Sequence, residues 1–165
     1  MRPALTLSVV IVILDQASKA WLIGWVQDQG GWQQITGFFN LVMVWNRGIS
    51  FGMLQSGDTG RWLLVLFSSL VCLGLGFWLR RQSRRWPSYA LGAVIGGALG
   101  NIIDRVWRGA VADFFDFHLL GYHWPAFNIA DSAITIGVAM LLYDSFHTGR
   151  DGNGGSSDDV GTKDA

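Results

Sequence analysis

Four apolar stretches, each near the length of a membrane-crossing helix, take up about half of this 165-residue chain. They lie at residues 4–26, 62–79, 86–103 and 125–143. A bilayer core offers no hydrogen-bond partners to the backbone, so such stretches must be helices. The expected architecture is an all-α membrane protein with four transmembrane helices. Composition agrees: half the residues are apolar and 15% are charged, against about 25% in soluble domains. Twelve basic residues balance twelve acids, all Asp. That balance excludes a nucleic-acid binder, which would carry a clustered basic excess. The first stretch could be taken for a cleaved leader, but its apolar pattern resumes after Asp15 and Lys19 with no small-residue cleavage site. It is read as a retained span.

Basic residues in the connections set the expected orientation. Arg2, the Arg80–Arg81–Arg84–Arg85 quartet, Arg150 and Lys163 make seven on one side, against Arg47, Arg61, Arg105 and Arg108 on the other. Both termini are therefore expected in the cytoplasm, with loops 27–61 and 104–124 outside. Trp21, Trp25, Trp62, Trp78, Trp86, Trp107 and Trp124 fall near span ends, as an interfacial aromatic belt requires. Residues 1–148 are expected to form one membrane domain. The Gly-, Ser- and Asp-rich segment 149–165 reads as a disordered cytoplasmic tail.

The first outer loop is not ordinary linker. Gly37-Phe38-Phe39-Asn40-Leu41-Val42-Met43-Val44-Trp45 is rich in strand formers, Asn46-Arg47-Gly48 supplies a turn, and residues 49–54 are apolar again. The pattern predicts a small hairpin or curved sheet on the membrane surface. A loop that only packs is the bland alternative.

Ionisable groups inside spans are costly and therefore functional candidates. Asp15 and Lys19 are four apart on one helix face, acid first, the order that favours pairing. Lys19 lies nearer the boundary, where it is expected to snorkel outward. A brace for the bundle and a direct chemical role both remain open for this pair. Gly92, Gly96 and Gly100 recur every fourth residue in the third span and should let a neighbouring backbone approach closely. Asn101, Asp104 and Arg105 follow within one turn, with Asp104 expected to pair with Arg105 or with a neighbouring helix. Asp113, or Asp116 three residues on, is embedded among Phe and Val, which raises a carboxyl pKa. Asn128 and Asp131 sit early in the fourth span. Consecutive antiparallel spans meet on the outer side, where Asp113 can approach Asp131, with Asp116 still open as the alternative. Two carboxyls sharing a site give a general base and a general acid. No His, Cys or carboxylate cluster has metal-ligand spacing, so neither metal nor cofactor is expected, and the single Cys72 reads as a packing residue. A proton-coupled transporter and a non-catalytic scaffold are the rival readings.

Five blocks in this order carry a resemblance: Asp15-Gln16-Ala17-Ser18-Lys19; Asn46-Arg47-Gly48-Ile49-Ser50-Phe51-Gly52; residues 96–105, Gly-Gly-Ala-Leu-Gly-Asn-Ile-Ile-Asp-Arg; Val111-Ala112-Asp113-Phe114; and Phe127-Asn128-Ile129-Ala130-Asp131. Together they resemble the lipoprotein signal peptidase (signal peptidase II) family of bacterial aspartic membrane proteases. The resemblance implies a catalytic dyad at Asp113 and Asp131, so it selects Asp113 over Asp116. It implies substrate-binding or supporting roles for Asp15, Lys19, Asn46, Gly48, Asn101, Asp104, Arg105 and Asn128, and a β-cradle in the first outer loop. The implied substrates are diacylglyceryl-modified prolipoproteins, cut just before the lipid-bearing Cys. The expected setting is the inner membrane, with membrane lipid as surroundings, the protein a monomer and the site near the outer face.

Overall fold

The computed structural model describes residues 1–48 and 57–151. Four long helices alternate with short strands: α1 (Arg2–Asp28), β1 (Trp32–Gln34), β2 (Phe39–Asn46), α2 (Gly57–Arg81), α3 (Arg85–Trp107), β3 (Val111–Leu119), β4 (Tyr122–His123) and α4 (Ile129–Asp151). The chain is thus mostly helical, with a small antiparallel sheet. Among the described residues, three helices are apolar and long enough to cross a membrane: 2–28, 58–81 and 129–147. Each of these buries less than a quarter of its most apolar 18-residue window within the protein, so most of that surface faces outward. The seven Trp of the expected belt are likewise exposed.

Helix α3 differs. It packs against each of α1, α2 and α4, and residues Ala90–Gly97 are buried without a break. Its glycines explain the close approach. A Cβ on Gly96 would lie 2.8 Å from the Ser8 carbonyl oxygen of α1, and one on Gly97 would collide with the Ala130 carbonyl oxygen of α4. Small residues allow this separation, and Ser8 uses it to donate a 2.6 Å hydrogen bond to the Gly92 carbonyl.

The sheet corrects the expectation for the outer loops. Its order is β1-β2-β3-β4, all antiparallel, so β1 and β2 of the first loop pair with strands of the second. The second arm expected at residues 49–54 lies outside the described residues. The alternation Val111-Ala112-Asp113-Phe114-Phe115-Asp116 is a strand, not a connecting loop. A bulge between Leu41 and Val44 sets two residues of β2 against Phe114. Because side chains alternate along a strand, this one extra residue moves Val44 and Asn46 onto the face that carries Asp113. The fourth apolar stretch also starts later than expected. Residues 125–128 are extended, and α4 begins at Ile129. It continues to Asp151, into the segment expected to be disordered; residues 152–165 lie outside the described residues.

Candidate active site

Two polar clusters sit where the helices meet the sheet. The inner one centres on Lys19, whose side chain is fully buried. It does not snorkel outward, because its Nζ lies 2.8 Å from both Asp15 Oδ2 and Asp104 Oδ2. Asp104 therefore pairs across to α1, and with Arg108 one turn on, not with Arg105. Gln16 Nε2 donates to Asp15 (3.1 Å) and Asp104 (3.0 Å), while its Oε1 accepts from Arg108 (2.9 Å). Gly100 makes room: a Cβ there would lie 2.6 Å from Asp15 Oδ2. Two cations and two carboxylates are thereby matched within one hydrogen-bonded set, which is the condition for burying charge.

Each carboxylate keeps one oxygen contact for a backbone amide. Asp15 Oδ1 accepts from Ala130 N–H at 3.0 Å, and Asp104 Oδ2 accepts from Ala112 N–H at 3.2 Å. Ala130 immediately precedes Asp131, and Ala112 immediately precedes Asp113. The inner cluster thus grips the backbone on which each of these two acids stands.

The outer cluster holds Asp113 and Asp131. Phe127 bridges to Phe115 through paired backbone hydrogen bonds of 2.9 and 3.1 Å, drawing the start of α4 against β3. Asn128 then caps α4. Its Oδ1 accepts from Asp131 N–H (2.9 Å), and its own N–H donates to Asp131 Oδ2 (3.2 Å), a reciprocal capping pair. Asn128 Nδ2 donates to Asp113 Oδ1 at 2.7 Å, and Asn101 Nδ2 to Asp131 Oδ1 at 2.7 Å. Asn46 Nδ2 reaches the other oxygen of Asp113 at 3.1 Å, and Asn46 Oδ1 accepts from Gly48 N–H at 3.2 Å. Asn46 therefore both closes its turn and touches the acid.

Asp113 is 2% exposed; Asp131 is half-buried. Burial first, and the neighbouring Asp131 carboxylate second, push Asp113 up to about 6. Hydrogen bonds from Asn46 and Asn128 and the charge of Lys19 oppose the shift. Asp131, three residues into α4, lies where the helix dipole favours negative charge. The Arg105 guanidinium lies in the field of Asp131, Asp113 and Asp104. Its Nη1 donates to the Asn101 carbonyl, while its buried Nε has no hydrogen-bond partner among the described residues. Asp116 is on the opposite face of β3, three residues from Asp113. There Asn40 and His123 hold it below the usual carboxylate range despite its burial.

The ten residues to which the resemblance assigns catalytic or supporting roles thus fall in or beside one of the two clusters, whereas Asp116 belongs to neither. Sequence reasoning missed Gln16 and Arg108. Gln16 lies inside the Asp15–Lys19 block, and Arg108 is four residues beyond Asp104, the spacing that signals a helical ion pair. Among the described residues, no group of three or more His, Cys, Asp or Glu is arranged to hold a metal ion.

Residues 7–147 match the family model described as Signal peptidase (SPase) II. A lipoprotein signal peptidase of Caulobacter vibrioides is 47% identical over 145 residues, covering 87% of this chain and 86% of that one. One of Rhodopseudomonas palustris is 42% identical over 151 residues, 88% and 92% of the two chains. A solved structure of a bacterial membrane enzyme superposes with a TM-score of 0.75 at 27% identity, covering 98% of this chain and 96% of that one. With the match spanning all four helices and both clusters, the chain belongs to the signal peptidase II family.

Proposed function

We propose that this membrane peptidase is an aspartic endopeptidase that removes the signal peptide from diacylglyceryl-modified prolipoproteins, cutting just before the lipid-modified Cys. The observation that carries the mechanism is the pairing of Asp113 and Asp131 through Asn128 and Asn101, with no cation salt-bridged to either among the described residues. Asp113, with its raised pKa, is the acid that holds the proton; Asp131 is the base. Asp131 takes a proton from water, and the resulting hydroxide bonds to the scissile carbonyl carbon. Asp113 gives its proton to the carbonyl oxygen. The tetrahedral diol then collapses: Asp131 passes the proton it took from water to the nitrogen, the C–N bond breaks, one diol hydroxyl returns a proton to Asp113, and the signal peptide leaves with a new carboxyl terminus. Asn46, at the end of β2, and Arg105, whose Nε–H has no partner among the described residues, are donors for a substrate backbone in the extended form that it must adopt before water can attack the scissile bond.

The four-span reading belongs to the same proposal. Helix α3 has 23 residues, about 34 Å at 1.5 Å each, enough to cross a bilayer core. Its glycines lower its hydropathy but suit it to the centre of the bundle, shielded from lipid by its neighbours. Both termini then lie in the cytoplasm, with the dyad near the outer face of the inner membrane, where a lipid-tethered bond and water can meet. The enzyme acts as a monomer and without a cofactor.

The test is cleavage of a diacylglyceryl-modified lipobox peptide by the purified protein in detergent. Release of the signal fragment, with the lipidated Cys as the new amino terminus, is the expected result. A folded protein that leaves this peptide intact overturns the proposal and returns the transporter and scaffold readings.

A further inference from the structure

The far end of the sheet presents a surface that the dyad does not use. Strand β3 is buried at its start and exposed at its end, and it turns into β4 through Leu120-Gly121. Both turn residues have positive φ, +50° for Leu120 and +84° for Gly121. A two-residue hairpin turn with both φ positive favours Asn or Asp followed by Gly. A leucine pays a steric penalty there, since its Cβ crowds the carbonyl. Leu120 is also 91% exposed, with Leu119 at 70% and Tyr122 at 85%. In water this is unfavourable twice over, by backbone conformation and by side-chain exposure.

The tip is not a loose loop. His123 Nδ1 lies 2.9 Å from Asp116, Asn40 donates to the same carboxylate at 2.8 Å, and the His118 and His123 rings stack at 5.0 Å. A rigid base therefore holds an apolar point outward. No Asp, Glu, Lys or Arg occurs from Phe117 to Ala130. Behind the two leucines come Tyr122, Trp124, His118 and His123, rings with an apolar body and a polar edge. Apolar at the point and amphipathic behind it is the order met on passing from acyl chains to headgroups.

From these observations we propose that the Leu119–Leu120 tip is a lipid anchor. It enters the outer leaflet beside the bundle, with Tyr122 and Trp124 at headgroup level, and so holds the sheet down over the substrate's exit from the bilayer. Bilayer lipid is preferred over a protein partner because Leu119, Leu120, Tyr122 and Trp124 are all exposed, and the stretch from Phe117 to Ala130 offers no charge for partner selection. The inference rests on the proposed topology but not on the chemistry of the dyad.

The experiment places an environment-sensitive fluorophore at Leu119→Cys in a Cys72→Ser background, with the full chain in liposomes. Nitroxide on the acyl chains should quench the probe by at least about half, and aqueous iodide should barely affect it. Adding Leu120→Asn should cut the acyl-chain quenching at least about twofold while leaving the thermal midpoint in detergent unchanged or higher, since Asn suits the turn. Quenching by iodide, or by neither agent, overturns the anchor. Cleavage of the lipopeptide by the same labelled protein is read separately, so failure of the anchor and failure of the peptidase proposal are distinguishable.

Discussion

The inner and outer clusters each join two aspartates to amide side chains, and α3 contributes to both, yet they differ in how charge is settled. Around Lys19, each carboxylate meets a cation and a backbone amide, and the cations are shared. Around Asp113, the hydrogen bonds to the two acids among the described residues come from asparagine side chains and the Asn128 amide, and no cation is salt-bridged to either. A balanced cluster has no reason to move a proton. An acid held in a buried site beside a second acid does. Under the proposed mechanism, this difference separates a brace from a reaction centre, although insertion cost alone marks both as candidates.

The comparison breaks most sharply at Asp131. Asp131→Asn keeps the size and one acceptor but removes the base. Turnover of the lipopeptide should fall by about a thousandfold or more, with the thermal midpoint in detergent moving by no more than a few degrees. Asp113→Asn should behave the same way, and the double variant should be little worse than either alone because the two act as a unit. Near-normal turnover in a folded Asp131→Asn protein would make the outer cluster a second brace.

Lys19→Met probes the other side. It leaves Asp15 and Asp104 buried beside one another without their shared cation, and breaking a buried pair in this way costs about 3–5 kcal/mol. The expected outcome is a large drop in midpoint and yield, with turnover lost as the grips on Ala112 and Ala130 slacken. A variant with unchanged midpoint would show that the inner cluster does not brace.

The smallest effect is in pH. Asp113 is raised to about 6 from an ordinary 3.8, so its folded form holds the proton more tightly than the unfolded chain. Stability from this group is complete below about pH 4 and is lost as pH rises through about 6. The population of its acid form falls over the same limb, so kcat/KM should decline above pH 6 by up to about tenfold per unit. A profile flat from pH 5 to 8 counts against Asp113 as the acid.

Much of this was legible in the sequence because it depends on local spacing. Asp15 and Lys19 announce their contact through a four-residue interval, and Gly92, Gly96 and Gly100 announce a close helix approach in the same way. The dyad needed the family motif, because nothing local distinguished Asp113 from Asp116. Recognising β3 as a strand would have separated them by parity, since an odd interval puts them on opposite faces. What could not be read is long-range register: the pairing of β2 with β3, and the bulge that turns Asn46 toward Asp113. Lys19 was placed at the surface because its depth was counted along one helix, whereas its burial comes from α3 lying across it.

The brace has a consequence for assembly. Of the four helices, α1 leaves the ribosome first, and it carries a charge pair whose members would each be costly to insert alone. Because Asp15 and Lys19 are one helical turn apart, each is the other's counterion before the other three helices exist. Asp104 arrives with α3, and the Ala130 amide arrives only with α4. Under the proposed mechanism, Asp131 is therefore held in place only when α4 docks on α1, so a half-made chain is a membrane protein without being a protease.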